Sequence, residues 1–220
     1  MKTKTHYIFG ASGHGKVIAE LAANSKRKIN AIFDDNPTRN CFGETPIFNT
    51  IDLLNSEITS KLIIAIGDNY IRKKISERFK DFEFFKLIHK KAVISITAKI
   101  GEGTVIMVNA IVNAEAKIGK HVIVNSAAIV EHDCIIEDFV HISPGVILSG
   151  NIIIGEGTHI GSGATIIPGI KIGKWCVIGA GAVVISDIPD GATVVGNPGR
   201  IIKYNTDFNL TKENRVLQKV

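Results

Sequence analysis

A histidine flanked by two carboxylates, Glu131-His132-Asp133, is the best-equipped group in this chain for moving a proton. A neutral imidazole with an ordinary pKa near 6.5 is the usual general base. A neighbouring carboxylate fixes its tautomer and raises its basicity. By spacing alone, the same histidine reads equally well as a solvated surface residue. A second chemical signal lies near the start. Gly10, Gly13 and Gly15 fall between a short apolar run, HYIF, and an amphipathic stretch, KVIAELAANS. Glycines there let backbone approach a phosphate, and a following helix would offer free N–H groups and the positive end of its dipole. Asp34 and Asp35 end the next apolar run, where an acid can accept a ribose hydroxyl, and Gly67 ends the third at the same edge. The plainer reading of these glycines is a turn that packs helix on strand. A dinucleotide dehydrogenase is disfavoured, because the glycine order departs from G-x-G-x-x-G and there is room for only about half of such a fold.

These groups need a scaffold, and the sequence supplies one of unusual regularity. From Ile88 to Val184 every sixth residue is aliphatic, without a slip in register. Four residues after each comes a small or aliphatic residue, from Ala92 through Ala128 and Cys134 to Ala182. A period of six is neither helix nor flat strand; it is a chain that is extended and turns a corner every hexad, the signature of a parallel β-helix. Three hexads make one coil, so residues 18 apart stack. Ile106, Val124, Ile142, Ile160 and Ile178 should form one interior ladder, with coils about 4.8 Å apart. Cys134 and Cys176 fall in the small inward phase and read as core residues, whereas Cys41 sits in a loop. Gly101, Gly119, Gly155, Gly161, Gly173 and Gly179 follow aliphatics where close backbone approach favours a missing Cβ. His141 and His159 are one coil apart and should stack on an outer face. Three such histidines meeting across a trimer would suit zinc, but nothing in the spacing requires it and no metal is expected.

The reading divides the chain into an α/β unit at 1–88, a β-helix at 89–187, and a closing segment with a polar tail at 188–220. In the first unit, HYIFG, KINAIFDD and KLIIAIGDN are strands, GASGHG is a turn, KVIAELAANS, IDLLNSE and the basic NYIRKKISERF are helices, and EFFKLIH is a strand leading into the repeat. Alternation of strands and helices implies a parallel sheet. The net charge of +5 fits an anionic small ligand, while the scattered basic residues argue against nucleic acid. No apolar run approaches a membrane span. The first ten residues lack the apolar core of a signal peptide, and three cysteines without metal-ligand spacing point to a reducing cytoplasm. An ice-binding β-helix would carry threonines in rows, and Thr97, Thr104, Thr158 and Thr165 form none.

Taken together, the hexads, GASGHG, FDD, IAIGDNYIRKKI, LIHKKAVIS, VNSAAIVEHDC and VVGNPGR resemble the left-handed β-helix acyltransferases. Within them the likeness is to the sialic-acid O-acetyltransferase and nucleotide 4-amino-sugar N-acetyltransferase group, nearest its bacillosamine-pathway UDP-sugar branch. The resemblance spans residues 5 to about 203 and implies the left-handed coil. It implies that His132 is the catalytic base and that the residue after it, a carboxylate one methylene longer in the family, orients it; here that residue is Asp133. It further implies that Asn125 is a polar residue near the site and that His141 contacts acetyl-CoA. Ser162 and Ala180 fall where backbone lines the pantetheine groove, and Pro198 and Arg200 belong to a segment that folds over the top coil to hold the adenosine end. Ser12, Gly13 and His14, with Asp34, Asp35 and Gly67, match the nucleotide-sugar site. Members are homotrimers with acetyl-CoA between neighbouring β-helices.

The expectation is therefore an acetyl-CoA-dependent N-acetyltransferase of a nucleotide-linked 4-amino-4,6-dideoxy sugar, a UDP-sugar first and a GDP- or dTDP-sugar second. O-acetylation of a sialic acid or related sugar is the alternative.

Overall fold

The computed structural model describes residues 5–50 and 60–205, so the IDLLNSE helix and most of the polar tail lie outside the described residues. The α/β unit is a six-stranded sheet. In chain order its strands are β1 (His6–Phe9), β2 (Ala31–Asp34), β3 (Cys41–Phe42), β4 (Thr45–Asn49), β5 (Lys61–Ile64) and β6 (Glu83–Phe84), arranged β3-β4-β2-β1-β5-β6. Every pairing is parallel except β3 with β4. That hairpin occupies what the sequence reads as loop. Its two-residue first strand, turning at Gly43 with φ 55°, is too short to leave a periodic signal.

Helix α1 (Gly13–Asn24) buries Ile18, Leu21 and Ala22, the i, i+3, i+4 stripe of an amphipathic helix. Helix α2 (Asn69–Arg78) starts at Asp68, whose carboxylate accepts the Ile71 N–H at 2.8 Å. Such a cap stabilises a helix by about 1 kcal/mol.

The rest of the described chain is a parallel β-solenoid of triangular section. Two-residue strands pair in register with strands 18 residues on, as Val105↔Ile123 and Ile106↔Val124 do. Face one carries the strands beginning at Leu87, Val105, Ile123, His141, His159 and Val177; face two those at Val93, Ile111, Ile129, Ile147, Thr165 and Val183; face three those at Lys99, Lys117, Ile135, Ile153 and Lys171. The expected ladder Ile106, Val124, Ile142, Ile160, Ile178 is fully buried. Ile88, Ile94 and Ile100 are only partly covered, because no coil lies beneath them. Cys134 and Cys176 fill the small inward row, and burial pushes both thiols above their ordinary pKa, as befits packing rather than nucleophilic chemistry. Cys41 is exposed in β3. Thr104 and Thr158 occupy the same row without penalty, since each hydroxyl donates to a carbonyl of the same coil and accepts an N–H from the next.

EFFKLIH is two strands rather than one. Glu83–Phe84 extends the α/β sheet, while Leu87–Ile88 is already the first rung of face one. After the last hexad, Ala192–Val195 adds to face one in parallel and Arg200–Tyr204 returns antiparallel to it. The VVGNPGR segment thus makes a hairpin across the last coil.

Face one has two outward-facing stretches. Leu87, Val105 and Ile123 sit under the α/β unit and share a core with Ile8, Ile18 and Ile63. Burying three such side chains is worth about 1.5–3 kcal/mol each. The next two outward positions are His141 and His159, paired in register and stacked with centroids 4.8 Å apart. The apolar contact gives way to histidines along the same row, beside the carboxyl end of β5.

Candidate active site

The His132–Asp133 pair lies on the vertex between faces two and three. His132 and Asp133 follow Ile129–Val130 and precede Ile135–Ile136. Their side chains are 60% and 59% exposed, and Nδ1 of the imidazole lies 2.8 Å from Oδ2 of Asp133. Asp133 has φ 61°. Aspartate tolerates this left-handed conformation better than most residues, and the shorter carboxylate still reaches the ring. With Nδ1 facing Asp133, Nε2 is the nitrogen left to meet a substrate proton.

The glycine turn runs from the end of β1 to the start of α1. Gly10 has φ 112°, and a Cβ there would fall 2.8 Å from the Ala65 carbonyl. Ser12 is the extended residue before α1, and its side chain makes no capping bond. Ser12 and Gly13 are exposed, so the first N–H groups of α1 open outward. Asp34 is engaged differently from a free ribose acceptor. Its Oδ2 accepts the Ala11 N–H at 2.7 Å and its Oδ1 the Asn36 N–H at 2.9 Å, so it clamps the glycine turn to the end of β2. Asp35 receives two bonds from Arg78, at 2.9 and 3.0 Å.

His14, Gly67, Asn125 and His141 meet at the seam between the units. Nδ1 of His141 lies 3.3 Å from the Gly67 carbonyl, and Nε2 lies 3.2 Å from Nδ2 of Asn125. A carbonyl only accepts, so the network assigns the proton to Nδ1 and leaves Nε2 to accept from the amide. Asn125 in turn takes the Ser126 N–H on Oδ1 at 2.8 Å. Ser143 and His159 repeat the arrangement one coil up, at 2.8 Å.

Arg72, read from the sequence as part of a basic helix, is the centre of this seam. It is 1% exposed. Its Nε donates to the His121 carbonyl, Nη1 to Ile66 and Gly67, and Nη2 to Phe139 and to Oδ1 of Asn69, all between 2.8 and 3.1 Å. All five N–H groups are thereby satisfied, across two carbonyls of each unit. Asn69 adds a bond from its Nδ2 to the Gly157 carbonyl at 2.9 Å. The buried residues of α2 are Asn69, Arg72 and Ser76, a polar stripe at helical spacing that only the structure shows to face inward.

Burial and the Arg72 charge keep the surrounding imidazoles neutral. His14 and His121 are each lowered to about 4, by burial and then by Arg72. His141 is lowered to about 3, by burial and then by His159, Arg72 and His14. Among the described residues, Nε2 of His14 has no partner. His121 is stacked on Phe139 with Phe84 against its edge, a core role.

Ser162 and Ala180 are exposed and one coil apart, on the vertex between faces one and two, below the exposed Pro198 and Arg200 of the closing hairpin. The guanidinium of Arg200 is bonded only locally, to the Gly199 carbonyl at 3.0 Å. Among the described residues there is no cluster of histidine, cysteine or carboxylate that could hold a metal, and no helix long and apolar enough to cross a membrane.

Comparison with known proteins covers both units. Residues 7–79 match the PglD N-terminal domain, and residues 151–186 match the bacterial transferase hexapeptide (six repeats). UDP-N-acetylbacillosamine N-acetyltransferase of Bacillus subtilis (strain 168) is 46% identical over 108 residues, 46% of this chain and 50% of that protein. An uncharacterised protein, L142, of Acanthamoeba polyphaga mimivirus is 34% identical over 100 residues, 46% of this chain and 20% of that protein. The chain thus spans half or less of the length of these curated relatives. Solved structures match throughout. The acetyltransferase domain of PglB from Neisseria gonorrhoeae FA1090, in complex with acetyl coenzyme A, is 41% identical with a TM-score of 0.86, covering 91% of this chain and 100% of that one. A variant of perosamine N-acetyltransferase from Caulobacter crescentus, in complex with CoA and GDP-perosamine, is 35% identical with a TM-score of 0.85, covering 90% and 96%.

Proposed function

The chain belongs to the left-handed β-helix sugar acetyltransferases that carry a PglD-type N-terminal domain, and from that premise we propose that it acetylates a nucleotide-linked 4-amino-4,6-dideoxy sugar from acetyl-CoA. One observation carries the reading. Over nine tenths of its length, through both units, the chain matches proteins whose structures hold acetyl coenzyme A, or CoA together with GDP-perosamine.

The sugar amine attacks the thioester carbonyl as the neutral base. Nε2 of His132 takes its proton, and Asp133, bonded at Nδ1, holds the ring and stabilises the imidazolium. A backbone N–H in the groove faces the developing oxyanion. Transfer is direct, since both solenoid cysteines are buried core groups. Ser12, Gly13 and His14, with Asp34, Asp35 and Gly67 framing the strand edge, take the nucleotide sugar. His141, Asn125, Ser162, Ala180, Pro198 and Arg200 serve the acetyl-CoA side.

The site is completed in a homotrimer. His132 sits on the vertex opposite face one, and the α/β unit sits on face one, so the base of one chain is across the prism from its own phosphate turn. A neighbour removes that separation. Face two is suited to receive one. Its outward row is Val93, Ile111, Ile129, Ile147, Thr165 and Val183, without a charge, whereas face three presents Lys99, Lys117 and Lys171 around Ile135 and Ile153. Face two also runs between the His132 vertex and the Ser162–Ala180 vertex. A cytoplasmic location accompanies the reading, since free thiols such as Cys41 persist there.

Thiol release from acetyl-CoA, measured against UDP-, GDP-, dTDP- and CMP-sugars, tests the reading. Release with 4-amino sugars, and with the UDP form best, is expected. Release only with sugars lacking an amine would establish O-acetylation instead.

A further inference from the structure

The imidazole of His132 rests on a glycine of the next coil. Gly150 is 18 residues on, at the same vertex, and is buried although His132 is exposed. A Cβ built on Gly150 would lie 2.6 Å from Cε1, 2.7 Å from Nε2 and 3.2 Å from Nδ1 of His132. The ring therefore lies directly over the glycine, with Nε2 among its nearest atoms.

Two other rings in the solenoid are seated in this way. A Cβ on Gly103 would fall 2.3 Å from Nδ1 of His121, and one on Gly157 would fall 2.4 Å from the Trp175 indole. Those glycines have φ 71° and 68°, so backbone conformation alone explains them. Gly150 lies outside the left-handed region. Its backbone accepts any residue, and the imidazole is the nearest thing a side chain would meet.

We propose that Gly150 is a positioning residue for His132: the missing Cβ is the seat that, with the Asp133 bond, fixes where the reactive nitrogen stands. This rests on the reading of His132 as the base. In Gly150→Ala, Nε2 must retreat from 2.7 Å to ordinary contact at 3.4 Å or more, a shift of at least 0.7 Å. Because the ring is exposed, it can yield without disturbing the coil, which then loses either the 2.8 Å bond to Asp133 or the alignment of Nε2. Misplacement of about 1 Å costs up to about 100-fold in rate.

Three measurements test this on the full chain. In Gly150→Ala, kcat should fall about 10–100-fold with the KM values for acetyl-CoA and sugar nucleotide little changed. Placed in a His132→Ala background, the same change should cost nothing further, because the group it acts through is gone. By NMR of 15N-histidine-labelled protein, the His132 ring resonances should move in Gly150→Ala, while those of His121 and His141 stay. Full kcat in Gly150→Ala, an equal further loss in the His132→Ala background, or unmoved His132 resonances would each overturn the proposal. Full activity in His132→Ala would instead remove the base assignment, and the resonance shift would still report the seat.

Discussion

Two groups of histidines stand a prism's width apart and live in opposite conditions. On the vertex between faces two and three, His132 is exposed and bonded to a carboxylate. On the seam above face one, His14, His121, His141 and His159 are largely enclosed, with a buried guanidinium as their common neighbour. A carboxylate partner and access to water suit a group that must gain and lose a proton each turnover. Burial beside a cation holds an imidazole neutral and in one tautomer, which suits a group that positions. The same residue type is thus divided by environment into an exposed, carboxylate-bonded imidazole suited to be a base and enclosed neutral ones, of which His141 and His159 are held by hydrogen bonds.

The sharpest way to break this contrast is to remove His132 on one side and, on the other, the guanidinium that the enclosed histidines share. His132→Ala should fold as the parent, because position 132 faces outward, and should lose about 2–4 orders of magnitude in kcat. Near-normal turnover would abolish the distinction. Arg72→Met should act on the seam alone. It leaves carbonyls of both units without donors, at about 1–3 kcal/mol for each that stays dry, and should lower the thermal midpoint while the solenoid keeps its trimer. An unchanged midpoint would mean the units are joined chiefly by the apolar contact of Leu87, Val105 and Ile123.

Acid should also separate the two groups. His14, His121 and His141 have folded pKa values of about 4, 4 and 3 against 6.5 when unfolded. Their contribution is full above pH 6.5 and is lost as pH falls towards 4, since the unfolded chain takes up protons first. The cost is on the order of 1–2 kcal/mol per histidine between pH 7 and 5. Denaturant midpoints at the two pH values check this, and His141→Asn should flatten the dependence. A smaller effect is expected at Arg200. Among the described residues its guanidinium bonds only the Gly199 carbonyl, so, if it serves the proposed cofactor side, Arg200→Ala should raise the KM for acetyl-CoA several-fold, the scale of one exposed charge, and leave that for the sugar nucleotide unchanged. The reverse pattern would move Arg200 to the other ligand.

The solenoid was legible because its period is a multiple of two. Reading positions modulo 18 assigns every residue to a face or a vertex, including His159 above His141 and the outward setting of His132. The glycine turn was legible because phosphate-binding geometry and a tight strand-to-helix turn make the same demand on sequence. Three features were not legible for physical reasons. The β3–β4 hairpin is too short to show periodicity. Arg72 looks like any helical cation, because sequence reports charge and not what covers it. The engagement of Asp34 with Ala11 and Asn36 depends on chain direction after β2, which no local pattern fixes.

In the proposed trimer, base and glycine turn act from different protomers. Gly13→Val places bulk where a diphosphate meets the first N–H groups of α1, and should abolish sugar-nucleotide binding while leaving acetyl-CoA binding and assembly intact. His132→Ala should retain both ligands and lose the chemistry. Each variant alone is then inactive for a different reason. Co-expressed so that mixed trimers form, the two should regain a clear fraction of parental activity, because some interfaces pair an intact His132 with a neighbour's intact turn. Mixed trimers that are as inactive as either variant would contradict the claim and return the whole site to a single chain.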